Sequence, residues 1–226
     1  MPVRIDVWSD VACPWCYVGK RRLEAALAVT PGVEVEVVWR SFELDPDAPA
    51  VRADGRSNVE RLAAKYRRTV AEAQAMVDNL TAVAATEGLA LRFDRMVVGN
   101  TFDAHRLLHL AARAGCQGAL KERLLAAYFT EGRTVSDRAT LVELAGEVGL
   151  ASAEVEAVLA GDAHAEEVRA DEALARELGI SGVPCFVIDR RFAVSGAQPA
   201  AVLAAALAKA TASAAAAPAC GPDGCA

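Results

Sequence analysis

A chain of 226 residues is long enough to bury a core of its own, as one large domain or two small ones. Its formal net charge is −6, with arginines scattered and no long basic run, which argues against nucleic acid and against an anionic membrane surface as partners. Hydrophobic residues make up 54%, much of it alanine, so the expectation is a helix-rich globular protein; no apolar run is long enough to span a bilayer, the nearest being Ala200–Ala208.

The chain reaches Arg4 and Asp6 at once, without the apolar stretch of a secretory leader, so the expected compartment is the cytoplasm. In that setting six cysteines point to catalysis or metal binding rather than to a passive disulfide framework.

Val3–Trp8 is a short apolar strand candidate, and Pro14 to Ala28 reads as a helix, with Val18, Leu23 and Leu27 near one face. Pro31-Gly32 is a turn, and Val33–Leu44, which opens by alternating valines with glutamates, reads as a second strand. A helix between two strands implies a right-handed crossover and a parallel pair.

Asp45 to Gly55 is a loop. From Ser57 to about Gly179 the pattern is helical, with Ser57-x-x-Glu60 and Thr69-x-x-Glu72 as capping boxes and glycine stops at 88, 115, 149 and 179. Six or seven helices fit, with no convincing strand among them. Cys185–Ile188 and Phe192–Val194 then form a hairpin around Asp189-Arg190-Arg191, and a last helix runs to about Lys209. Residues 211–226, rich in Ala, Ser, Gly and Pro, read as a flexible tail carrying Cys220 and Cys225. The simplest packing of β-α-β, helices, β-β-α is an α/β fold: a mixed four-stranded sheet over 1–50 and 180–210, with 51–179 as an inserted all-α domain.

The chemistry sits at the first strand-to-helix junction, in Cys13-Pro14-Trp15-Cys16. Pro14 suits the first turn of a helix, which puts Cys13 at the cap. The free N–H groups there, and the positive end of the helix dipole, favour a thiolate. Cys16 follows one turn deeper. The expectation is an exposed, ionised attacker at Cys13 and a shielded resolving thiol at Cys16.

Ser9-Asp10-x-x-Cys13-Pro14-Trp15-Cys16-Tyr17-x-Gly19, the helical insertion, Gly182-Val183-Pro184 and Val194-Ser195-Gly196-Ala197-Gln198 together resemble the DsbA family, and within it the FrnE-like branch, whose tails the segment from Cys220 to Cys225 also resembles. The resemblance implies a thioredoxin fold with an inserted helical domain, thiol–disulfide oxidoreductase or isomerase activity, and a cis Pro184 facing Cys13 and Cys16. It also places Asn100, Thr101 and His105, at the start of a helix, over the active site. A Val-Pro after Gly179 and Gly182 suits a tight turn on its own account. A bend there would turn the backbone of Val183 outward to pair with an extended substrate. Cys185 departs from the family pattern, where an aromatic is more usual.

Each cysteine has a rival reading. Cys13, Cys16, Cys220 and Cys225 could together hold a structural zinc in a non-catalytic binding module. Cys220 and Cys225 could be a second redox pair, a tail disulfide or metal ligands. Cys185 reads as a small buried strand residue, with a third active-site thiol as the alternative, and Cys116 reads as inert. His105 and His109 lie four apart on one helix but lack a third ligand, so a core or surface role is expected, as is a surface place for His164.

The leading expectation is thiol–disulfide exchange with protein or small-thiol partners, with no metal and no cofactor beyond glutathione as a redox partner. A glutathione-dependent isomerase of the 2-hydroxychromene-2-carboxylate type is the alternative enzyme. Such enzymes resemble this architecture but usually lack the second cysteine.

Overall fold

The computed structural model describes residues 2–52 and 54–215. Cys220 and Cys225 lie outside them.

Strand β1 (Val3–Ser9) leads through helix α1 (Pro14–Ala28) to strand β2 (Val35–Ser41). The pair is parallel, in register from Val3 opposite Val35 to Ser9 opposite Ser41. Strand β3 (Cys185–Ile188) lies antiparallel to β1 on its other side, and β4 (Phe192–Ser195) antiparallel to β3. The order is therefore β2-β1-β3-β4, the mixed four-stranded sheet expected. Strand β2 is shorter than the alternation suggested, because Phe42–Leu44 turn toward the active site instead of continuing the ladder. The last helix, α9 (Ala200–Ala215), runs past Lys209.

Side chains alternate across a strand, so β1 serves two layers. Ile5 and Val7 pack with Leu23, Ala26, Phe186, Ile188, Leu203 and Leu207 against α1 and α9. Trp8, with Cys185 and Val187, packs on Ala175 of α8 (Ala165–Glu177). Trp8 Nε1 also donates to the carbonyl of Asp171 at 2.9 Å.

Between β2 and β3 the chain forms helices α2 (Asn58–Tyr66), α3 (Val70–Thr86), α4 (Phe102–Arg113), α5 (Gln117–Ala126), α6 (Arg138–Glu147), α7 (Ser152–Ala160) and α8. Both capping boxes form as their spacing predicts: Ser57 with Glu60, and Thr69 with Glu72. A π-helical turn, Ala127–Glu131, ends α5 and buries Tyr128 and Phe129. The helical core also takes in Val11, Tyr17 and Val18, so the helix that carries the cysteines packs into it.

Two polar clamps fix helices to the sheet, and a third ties helix to helix. Gln117 of α5 accepts from the N–H of Trp39 at 3.0 Å and donates to its carbonyl at 2.9 Å. It thereby supplies the hydrogen bonds that a further strand would give to the edge strand β2. Asp171 of α8 accepts from Arg40 at 2.8 Å and from the N–H of Ser41 at 2.9 Å. Arg106 of α4 donates to the carbonyls of Val158, Gly161 and Ala163, tying α4 to the end of α7.

Candidate active site

Helix α1 begins at Pro14, as its sequence predicts, with Cys13 extended at the cap and the N–H of Cys16 bonded to the carbonyl of Cys13 at 3.0 Å. Both thiols are free and lie at the first turn of α1. The Val183–Pro184 peptide is cis. The carbonyl of Val183 lies 3.6 Å from Cys13 Sγ, so the Val-Pro element and the cysteine pair form one site. Gly19 makes this approach possible: a Cβ there would lie 2.9 Å from Cγ of Pro184 and 3.2 Å from Phe186.

The expectation of an exposed Cys13 is corrected. Cys13 is only 4% exposed and Cys16 1%. Trp15, between them, is the exposed member at 38%. Cys13 Sγ donates to the carbonyl of Val183; the Cys16 sulfur beside it, with burial, lifts its pKa well above the ordinary thiol value. Cys16 moves the other way. Burial opposes its ionisation, but the Cys13 thiol beside it and the charge of Lys121 outweigh it and lower its pKa. The pair therefore gives up one proton readily and holds the second.

Beneath the cysteines lies a buried polar cluster. Asp10 accepts from the N–H of Leu44 at 2.8 Å and of Ala12 at 3.2 Å, and pairs with Nε2 of His105 at 3.3 Å. Burial pushes the Asp10 pKa up, but these bonds outweigh it and hold it below the ordinary carboxylate value. Burial pushes the His105 pKa down, which leaves a neutral imidazole donating to the carboxylate. Lys121 of α5, fully buried, donates from Nζ to the carbonyl of Ser9 at 3.3 Å. Burial brings its pKa down to about 8, against the pull of Cys16, Asp10 and Cys13.

Other predicted residues fall around this centre. Thr101 is buried at the start of α4 and lines a cavity of about 580 Å³ together with Pro14, Asp10 and Tyr128. Asn100 instead works as a strut. Its Nδ2 donates to the carbonyl of Pro46 and its Oδ1 accepts from the N–H of Phe102, pinning the 45–50 loop to α4. Cys185 is buried against Trp8 and Ala175. His164 is buried rather than on the surface: it stacks on His109 with ring centroids 6.4 Å apart and bonds Glu167 at 2.9 Å. His109 bonds Asp171 at 3.2 Å and so does not face His105's partner. Among the described residues, no group of three metal-ligating side chains converges.

The sequence reading missed Lys121, Glu43 and the structural part of Asp10. Lys121 and Gln117 are four apart and so share a helix face, which is the one signal that could have drawn attention to them. Glu43 leaves β2, buried, with Arg169 at 2.6 Å. Its Oε1 has no hydrogen-bond partner among the described residues, and burial raises its pKa to about 7.

Residues 4–208 match the family model of the DSBA-like thioredoxin domain. The chain belongs to that family. It is 30% identical over 190 residues to the uncharacterized protein YwbO of Bacillus subtilis, across 83% of this chain and 88% of the relative. A probable DsbA oxidoreductase from Streptomyces coelicolor is 50% identical and superposes with a TM-score of 0.88, covering 99% of this chain and 98% of that one. The cytosolic disulfide reductase DsbM of Pseudomonas aeruginosa, solved with GSH, has a TM-score of 0.64 at 20% identity, covering 92% and 99%. A 2-hydroxychromene-2-carboxylate isomerase has a TM-score of 0.67 at 16% identity, covering 94% and 98%. These last two show a shared fold alone. The family is one of thiol–disulfide oxidoreductases. No helix among the described residues is long and apolar enough to cross a membrane.

Proposed function

We propose that this DsbA-like protein exchanges disulfides with protein or small-thiol substrates, with Cys13 as nucleophile and Cys16 as resolving thiol. The observation that carries this reading is the buried dithiol set against the carbonyl of Val183. Cys13 is the sulfur nearer that carbonyl, where an extended substrate would pair. Cys16 lies behind it, toward Lys121.

In the reductive direction the one proton left on the pair sits on Cys16. The Cys13 thiolate then attacks one sulfur of the substrate disulfide. A Cys13–substrate bond forms, the substrate S–S bond breaks, and the leaving thiolate takes up a proton. Cys16, once deprotonated, attacks Cys13, which closes the Cys13–Cys16 disulfide and frees the second substrate thiol. Two electrons have moved from the chain to the substrate, and glutathione returns them. The cytoplasm, with its glutathione pool, suits that direction.

The 580 Å³ cavity beside Pro14 supports a second reading. Its lining mixes apolar side chains (Leu62, Phe93, Met96) with cations (Arg52, Arg56, Lys65) and carboxylates (Asp45, Asp54), a set that suits a thiol carrying both charges, such as glutathione, as the isomerase alternative requires. Insulin reduction with glutathione as electron donor separates the two. The wild-type chain should reduce insulin disulfides and Cys13→Ser should not. Equal rates in both would end the proposal, and turnover of 2-hydroxychromene-2-carboxylate without disulfide turnover would establish the rival.

A further inference from the structure

The helical insertion supplies one buried cation to the cysteine pair, and nothing in the exchange scheme above uses it. Gln117 clamps α5 to the edge of β2 through both backbone groups of Trp39. One turn on, the same face carries Lys121 into the interior, where its ammonium lies 5.8 Å from the centre of the Trp39 ring. An amine with no exposed surface is costly to keep charged unless an anion stands by it.

The groups that face Lys121 can be taken element by element. From β1 and the turn after it come the Ser9 carbonyl and Asp10; from α1 come Cys13, Cys16 and Lys20; from α4 comes neutral His105. On its own helix, Glu122 is engaged by Lys20, Arg21 and Tyr17. Lys20 is a like charge and opposes the ammonium. Asp10, which accepts hydrogen bonds from His105, Leu44 and Ala12, supplies one opposing charge that does not change with redox state. The other anion facing Lys121 is the thiolate of the reduced pair, and forming the disulfide abolishes it.

We propose that Lys121 is the positioning residue that holds the negative charge of the reduced Cys13–Cys16 pair, and that it gives up its own proton when the pair is oxidised. This rests on the exchange reading above and deepens it: the helical insertion sets the redox poise of the cysteines and couples it to pH. The step balances. The reduced pair with one proton and one negative charge, Lys121 ammonium and a substrate disulfide become the Cys13–Cys16 disulfide, Lys121 amine and two substrate thiols. Two electrons go to the substrate. Its two new S–H protons come from the reduced pair and Lys121.

The test uses the full chain with ¹³C-labelled lysine, of which there are four residues, titrated by NMR in the dithiol and disulfide forms. The Lys121 ε-carbon should titrate about one pH unit or more lower in the disulfide form, the change expected when a nearby buried charge is removed. Equal midpoints in the two forms would overturn the proposal. The titration needs only chemically oxidised and reduced protein, so it is decided independently of whether insulin is turned over. In folded Lys121→Met, thiolate absorbance should appear at higher pH than in wild type. Its equilibrium with glutathione should move about tenfold toward the disulfide, roughly 30 mV more reducing. A lysine with only a structural role would lower the melting temperature and leave both readouts at wild-type values, and that outcome would also overturn it.

Discussion

Cys13 Sγ and the carbonyl oxygen of Val183 lie 3.6 Å apart, although 170 residues separate them in sequence. That contact ties the start of α1 to the segment before β3. It fixes which sulfur meets a substrate first.

If Cys13 attacks and Cys16 resolves, removing Cys16 should stall the reaction half-way. Cys16→Ser incubated with oxidised glutathione or a disulfide-containing protein should accumulate a mixed disulfide at Cys13, readable by mass spectrometry of the intact protein. Insulin reduction should fall by roughly two or more orders of magnitude, since resolution becomes intermolecular. An adduct found on another cysteine would reverse or void the assigned roles.

Gly19 admits Pro184 to the face of α1, and a Cβ at that position would meet the proline ring at 2.9 Å. A ring cannot swing aside as a flexible chain end would. Gly19→Ala should therefore cost about 1–3 kcal/mol in denaturant unfolding, despite alanine's better helix propensity. It should also slow insulin reduction by displacing Val183 from Cys13. A stability equal to wild type would show that the contact relaxes freely.

Glu43 carries a pH signature. Its folded-state pKa, about 7, is raised above the ordinary glutamate value by burial first. A raised pKa means that its stabilising contribution is full below about 4.5 and is lost as pH rises through about 7. Urea unfolding of wild type and Glu43→Gln across that window should show the variant gaining on wild type as pH climbs. A difference that stays flat would show that Arg169, at 2.6 Å, already keeps Glu43 ionised.

Thr69 closes a capping box at the start of α3, away from the cysteines. Thr69→Ala should lower unfolding free energy by about 1 kcal/mol and leave insulin reduction unchanged. A loss of activity would reveal a coupling between α3 and the cysteine pair that the fold does not suggest.

Local rules made much of this protein legible from its residues. Pro14 at a first helical position, two Ser/Thr-x-x-Glu boxes, positive-φ glycines after helices and the alternation in β2 are short-range steric and hydrogen-bonding preferences, and each acts within a few residues. They set the element order, and with it the mixed sheet and the CxxC at a strand-to-helix junction.

Only the tertiary structure decided the electrostatics of the site. The burial of Cys13, the Asp10–His105 pair across 95 residues and the arrival of Lys121 beside Ser9 across 112 all depend on packing between distant elements. A side chain's pKa follows from the dielectric and charges around it once those elements meet, and no local pattern encodes that. The helix dipole was readable at Cys13; the burial of both sulfurs and the ammonium buried near them were not.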